Sequence, residues 1–115
     1  MLPNVNRLTK KKDFDLVFKQ GETAKVDFLI VKTLKNQYPE SRFGFIVSKK
    51  VSGKATVRNT VKRRLRQAVL NQLGRLKKSL DVVIVTLPGI EKKDFPTIEG
   101  VMEKVFKKVT LILPD

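Results

Sequence analysis

The sequence predicts an α+β fold: one β-sheet with helices packed on it as a two-layer sandwich, in the order helix, strands, helix, strand, helix. Three observations predict it. The chain has 115 residues and is 41% apolar, enough for a real core without disulfides. Apolar positions recur at helical spacing in some segments and crowd into short β-branched runs in others. No repeat, linker or low-complexity block divides the chain, so residues 1–115 read as one domain, with residues 1–8 an irregular basic arm.

A first helix is expected from Thr9 or Lys10 to just before Gly21. Phe14, Val17 and Phe18 stand at i, i+3 and i+4 and share one face, and Gly21 suits the left-handed residue past a helix end. Val26 to Leu34 is apolar and β-branched and reads as a strand. The polar run Asn36-Gln37-Tyr38-Pro39-Glu40-Ser41 reads as a hairpin connection to a strand from Arg42 to Val47. Ser52-Gly53-Lys54 breaks the chain before a long helix from Ala55 to Leu73, with Val57, Val61, Leu65, Ala68 and Val69 on its buried side. Gly74 suits its end. Val82 to Leu87 is almost wholly apolar, as expected of a strand that is central or covered on both faces. Pro88-Gly89 stops it. Asp94 is placed to cap a last helix from Phe95, whose buried face is Ile98, Val101, Met102, Val105 and Val109.

Composition removes whole classes of chemistry. There is no cysteine and no histidine, so thiolate or imidazole nucleophiles, bases and zinc sites cannot be built. Asp13, Asp15, Glu91, Asp94, Glu99 and Glu103 form no recognisable ligand set, and neither a catalytic nor a metal-binding residue is expected. The apolar runs are far too short to span a bilayer, and no signal-peptide pattern follows the basic N-terminus. No membrane or small-molecule partner is expected, and the cytoplasm is the expected compartment.

The net charge is +14, a field that favours polyanions. Its distribution is sharper than its size. From Ser41 to Leu80 there is no Asp or Glu, while Arg42, Lys49, Lys50, Lys54, Arg58, Lys62, Arg63, Arg64, Arg66, Arg75, Lys77 and Lys78 all fall there. On the long helix, Arg58, Lys62 and Arg66 repeat every four residues with Asn59 and Arg63 beside them. At about 100° per residue these five make one polar stripe. Arginine forks and lysine charges in a row can track phosphates, and Asn59 can reach a sugar, phosphate or base edge. A merely solvated helix face normally carries paired glutamates, and this one has none. Val47-Ser48-Lys49-Lys50 is a weaker signal, ordinary on any surface but for its closeness to the helix. Phe14 and Phe18 read as core by spacing, or as stacking platforms for unpaired bases.

Charge alone does not separate RNA from DNA. The residues leave open a general structured-RNA-binding protein of ribosomal or chaperone type, and a duplex-DNA binder with its 55–73 helix in a major groove. A nuclease holding Mg²⁺ on carboxylates such as Asp94 or Glu103 is also open.

The run Phe43-Gly44-Phe45-Ile46-Val47-Ser48-Lys49-Lys50, followed by Lys54 to Ala68 with its Arg58-Asn59-x-x-Lys62-Arg63-x-x-Arg66 spacing, closely resembles the bacterial ribonuclease P protein family. Asn6-Arg7-Leu8, Asp13-Phe14, Val17-Phe18 and Gly21 are similar as well, so the likeness runs over nearly the whole chain. The resemblance implies a ribosomal-protein-S5-domain-2-like fold with a left-handed βαβ crossover, against the general right-handed preference. It implies a protein subunit that helps a catalytic RNA, with RNA-bound Mg²⁺, remove the 5′ leader from precursor tRNA. By position, Lys49, Lys50, Lys54, Arg58, Asn59, Lys62, Arg63 and Arg66 are then expected on the catalytic RNA. Phe14 and Phe18 are expected to line a leader-binding cleft, with Leu29 and Val31 as its sheet side and Ser48 at its edge. Two departures stand out: Thr60 replaces a frequent third basic residue, and Val31 a frequent aromatic.

Overall fold

The computed structural model describes residues 2–112. Helix α1 (Lys11–Gln20) is followed by strands β1 (Glu22–Val26), β2 (Leu29–Lys35) and β3 (Arg42–Ile46). Helix α2 (Ala55–Gln72), strand β4 (Leu80–Thr86) and helix α3 (Phe95–Lys108) complete the chain. The strands form one sheet in the order β1-β2-β4-β3. Strands β1 and β2, and β2 and β4, are antiparallel, while β3 and β4 are parallel. Parallel neighbours need a long crossover, and α2 supplies it.

The α+β class, the single sheet and the element order match the sequence reading. The layering differs, because the sheet is covered on both faces. On one face α2 and α3 close a large core with Leu29, Val31, Phe43, Val82 and Ile84. On the other α1 lays Val17 and Phe14 over Val83 and Val85, with Leu8 alongside. Strand side chains alternate between faces, so the nearly continuous apolar run of β4 feeds both layers.

Three local expectations are corrected. The run from Val26 is not one strand: Asp27 adopts a left-handed φ of 49° and turns the chain with Phe28, so β1 and β2 form a tight hairpin with Val26 opposite Leu29. The Asn36–Ser41 connection is no hairpin either, since β4 lies between β2 and β3. It bridges the start of β4, where the Asn36 side-chain amide donates to Asp81 (2.8 Å) and the Leu80 N–H donates to the Ser41 hydroxyl (3.0 Å). Gly21 closes α1 with φ −75°, an ordinary value. Glycine is needed for close approach: a Cβ there would stand 2.5 Å from the Val17 carbonyl oxygen and 2.9 Å from that of Thr33.

The basic arm is not loose. Residues 4–6 form a single 3₁₀ turn, the Leu8 N–H donates to the Phe43 carbonyl (3.0 Å), and the Asn6 amide donates to the Ser41 carbonyl (2.8 Å). Leu2, Asn6 and Leu8 are buried. The arm thus covers the outer edge of β3, which would otherwise present open backbone groups.

Candidate RNA interface

Helix α2 buries Val61, Leu65, Ala68 and Val69 and turns the adjoining arc outward. Asn59, Arg63 and Arg66 are exposed, and Arg58 and Lys62 half-buried. Arg58 is braced by donating from Nη1 to the Ser52 carbonyl (3.0 Å). Lys49, Lys50 and Lys54 are exposed on the loop entering the helix. That loop is tied by the Val51 N–H to the Ser48 carbonyl (3.0 Å) and the Lys54 N–H to the Ser52 hydroxyl (3.2 Å). The two halves of the sequence motif therefore meet at the start of α2, where the helix dipole adds positive potential. Among the described residues, the ion pairs use Lys11, Arg42, Arg75, Lys78 and Lys107, and none takes a cation of this stripe or loop. An uncompensated row of cations is disposed for phosphates.

Thr60 lies outside this arc, about 200° around the helix from Arg58. Its hydroxyl donates to the Thr56 carbonyl (3.0 Å). On the same side Arg64 donates to the Lys93 carbonyl (3.2 Å). The threonine leaves the stripe itself uninterrupted.

The second expected site is rebuilt by the structure. Phe14 is half-buried under α1, and Phe18 is 42% exposed. Leu29 and Val31 cannot form the sheet side of a cleft with them. Both are 0% exposed and face the α2–α3 core. The α1 face of β2 carries the alternate residues Ile30, Lys32 and Leu34. The Lys32 ammonium stands 5.6 Å from the centroid of the Phe18 ring and donates to the Thr23 hydroxyl (2.9 Å). Sequence reasoning missed Lys32, although its charge marks the more open side of β2 and so fixes the parity. Ser48 is exposed beyond the end of β3. A cavity of about 260 Å³, lined by Arg7, Phe14, Phe45, Lys62 and Arg66 among others, joins the α1 side to the stripe around the β3 edge.

The carboxylates are engaged structurally. Asp94 accepts from the Thr97 N–H (2.9 Å) as the α3 cap, and hydrogen bonding from the Thr97 side chain, then from its N–H, holds the carboxyl below the usual range. Arg75 pairs with Glu103 at 3.1 Å and likewise lowers its pKa. No group of three or more acidic residues that could hold a metal ion occurs among the described residues.

Fold and surface together define an α+β protein with an unpaired cationic helix face among the described residues and a partly exposed aromatic face, a surface disposed for a polyanion. The chain belongs to the ribonuclease P protein family, whose model, described as Ribonuclease P, matches residues 2–110. It is 35% identical to the ribonuclease P protein component of Syntrophomonas wolfei, over 96% of this chain and 92% of that one. It is 36% identical to that of Synechocystis, over 96% and 90%. Among solved structures, the RNase P protein of Staphylococcus aureus superposes with a TM-score of 0.86 at 25% identity, covering 93% of this chain and 97% of that one. The Thermotoga maritima protein gives 0.81 at 31%, covering 89% and 96%. The chain is thus the protein subunit of an endoribonuclease of tRNA processing, a ribonucleoprotein whose other partners are the ribonuclease P RNA and precursor tRNA.

Proposed function

We propose that the subunit uses its two faces for two different RNAs. The α2 stripe (Arg58, Asn59, Lys62, Arg63 and Arg66), with Lys49, Lys50 and Lys54, docks the catalytic RNA through phosphate and shape contacts. The α1 face holds the 5′ leader as an unpaired strand: a base stacks on Phe18 and Phe14, Lys32 meets a phosphate, and Ser48 stands at the rim. The observation that carries this reading is the contrast between a stripe with no carboxylate partner among the described residues and an exposed ring beside a lysine. The protein's contribution is positioning, which lowers the entropy cost of bringing the scissile phosphate to the reacting groups.

Among the described residues the carboxylates gather into no metal-binding group; we assign Mg²⁺ to the RNA and route no protein step through it. Among the described residues no helix is long and apolar enough to cross a membrane, and the cytoplasm is the compartment proposed. The test is cleavage of leader-bearing precursor tRNA by a bacterial ribonuclease P RNA at low Mg²⁺. Adding this protein should raise affinity and rate for the precursor above those for a leaderless substrate. Equal stimulation of unrelated structured RNAs would make it a general RNA binder, and no stimulation would end the reading.

A further inference from the structure

We infer that Arg42 and Gly44 are positioning residues: adjacent on the α1 face of β3, they fix Asp13 and Phe14 of α1 and so set where the aromatic face stands. This deepens the proposed leader site and rests on that reading.

Arg42 is anchored in the sheet before it reaches α1. Its Nε donates to Asp81 Oδ1 (2.8 Å) and its Nη2 to Asp81 Oδ2 (2.6 Å), a bidentate fork across the β3–β4 pair. Asp81 is itself buried and accepts from the Asn36 amide (2.8 Å). The Tyr38 ring lies over the guanidinium at 4.4 Å. With those contacts made, the remaining nitrogen Nη1 points to Asp13 Oδ2 at 3.5 Å. The arginine side chain is only 18% exposed and that of Asp13 20%, so this contact is less screened than a surface pair.

Two residues further on, Gly44 does by absence what Arg42 does by charge. A Cβ on Gly44 would overlap the Phe14 ring, so the ring lies directly against the strand backbone. Positions 42 and 44 share a face of the strand, and 13 and 14 are neighbours on the helix. Two contacts of different chemistry therefore fix both the height and the rotation of α1. Phe18 lies one helical turn beyond Phe14, on the same side, so its place over Lys32 follows from theirs.

The experiment uses the holoenzyme reconstituted with a bacterial ribonuclease P RNA. It compares affinity for leader-bearing precursor with mature tRNA, alongside amide hydrogen exchange of α1. Gly44→Ala should lower the precursor-to-mature ratio about tenfold, Arg42→Lys somewhat less, and Asp13→Asn about threefold. Affinity for the RNA subunit should stay within roughly twofold, because the α2 stripe is untouched. The α1 amides should exchange faster in each variant. Phe14→Leu added to Gly44→Ala removes the overlap and should restore slow exchange. If Gly44→Ala does not fold, the partly exposed Asp13→Asn carries the test. Unchanged exchange and ratio in these variants, with a lowered ratio for Phe18→Ala, would overturn the inference and leave the leader site standing. If Phe18→Ala also leaves the ratio unchanged, the leader site falls. Exchange then decides alone: faster α1 exchange supports the fixing of α1, and unchanged exchange overturns it.

Discussion

The α2 stripe and the α1 face are two solutions to holding RNA. The stripe is made by one element. Its cations lie on a single helical arc, need only the helix period to align, and are matched by no carboxylate among the described residues. The α1 face is made by three elements. Phe14 and Phe18 come from the helix, Lys32 from β2, and the seat for Phe14 from Gly44 on β3. A surface built by one helix tolerates sequence change one charge at a time. A surface built between elements depends on how they are mounted, and a shift of one residue in a strand empties it.

The contrast can be broken or sharpened by mutation. The largest effect is expected on the wrong side of the sheet. Leu29→Ala should cost about 2–5 kcal/mol of stability in denaturant unfolding, as buried truncations do. It should leave precursor preference unchanged wherever the protein is folded. Loss of preference at full stability would return Leu29 to the leader site. Next comes Phe18→Ala. Removal of a stacking ring should cost about 1–3 kcal/mol in precursor affinity, while the melting temperature of this exposed position moves little. An equal loss for mature tRNA would take Phe18 out of the leader site.

Arg63→Ala should weaken binding of the RNA subunit and reduce the salt-dependence slope by about 1, the signature of one lost phosphate contact. Its side chain is exposed, so unfolding should be unchanged. A slope equal to that of the unmodified protein would remove Arg63 from the interface. Lys32→Met keeps length but deletes charge. It should lower precursor affinity by about 0.5–1 kcal/mol, as expected for a partly exposed cation beside a ring and a phosphate, and do so less at high salt.

Asp94→Ala should have the smallest effect, confined to stability. The Asp94 pKa is lowered in the folded protein, chiefly by its hydrogen bond with Thr97. Its contribution is therefore present above the ordinary aspartate pKa and is lost as pH falls through the lowered native value. Thermal melts of the variant and the unmodified protein should differ slightly at neutral pH and converge in acid. A difference that persisted unchanged into acid would contradict the capping role.

By itself the sequence determined the three helices, the stripe and the central strand. Helical periodicity is local, so Arg58, Lys62 and Arg66 declare a common face from spacing alone. The acid-free stretch from Ser41 to Leu80 declares its partner's charge. Strand β4 declared itself central or doubly covered by its nearly continuous apolar run, without deciding between the two. What only the tertiary structure decided is which side of each strand faces which helix. Within β2, Lys32 marks the more open face, but nothing in the strand says which helix covers either face. The turn at Asp27-Phe28 was hidden because one polar residue between apolar neighbours also fits the alternation of a strand. Strand order was equally invisible: the Asn36–Ser41 segment has hairpin chemistry whether its strands pair or let β4 between them. The aromatic face over Lys32 thus emerges only when α1 is set on the sheet, since its residues come from strands and a helix that no sequence period connects.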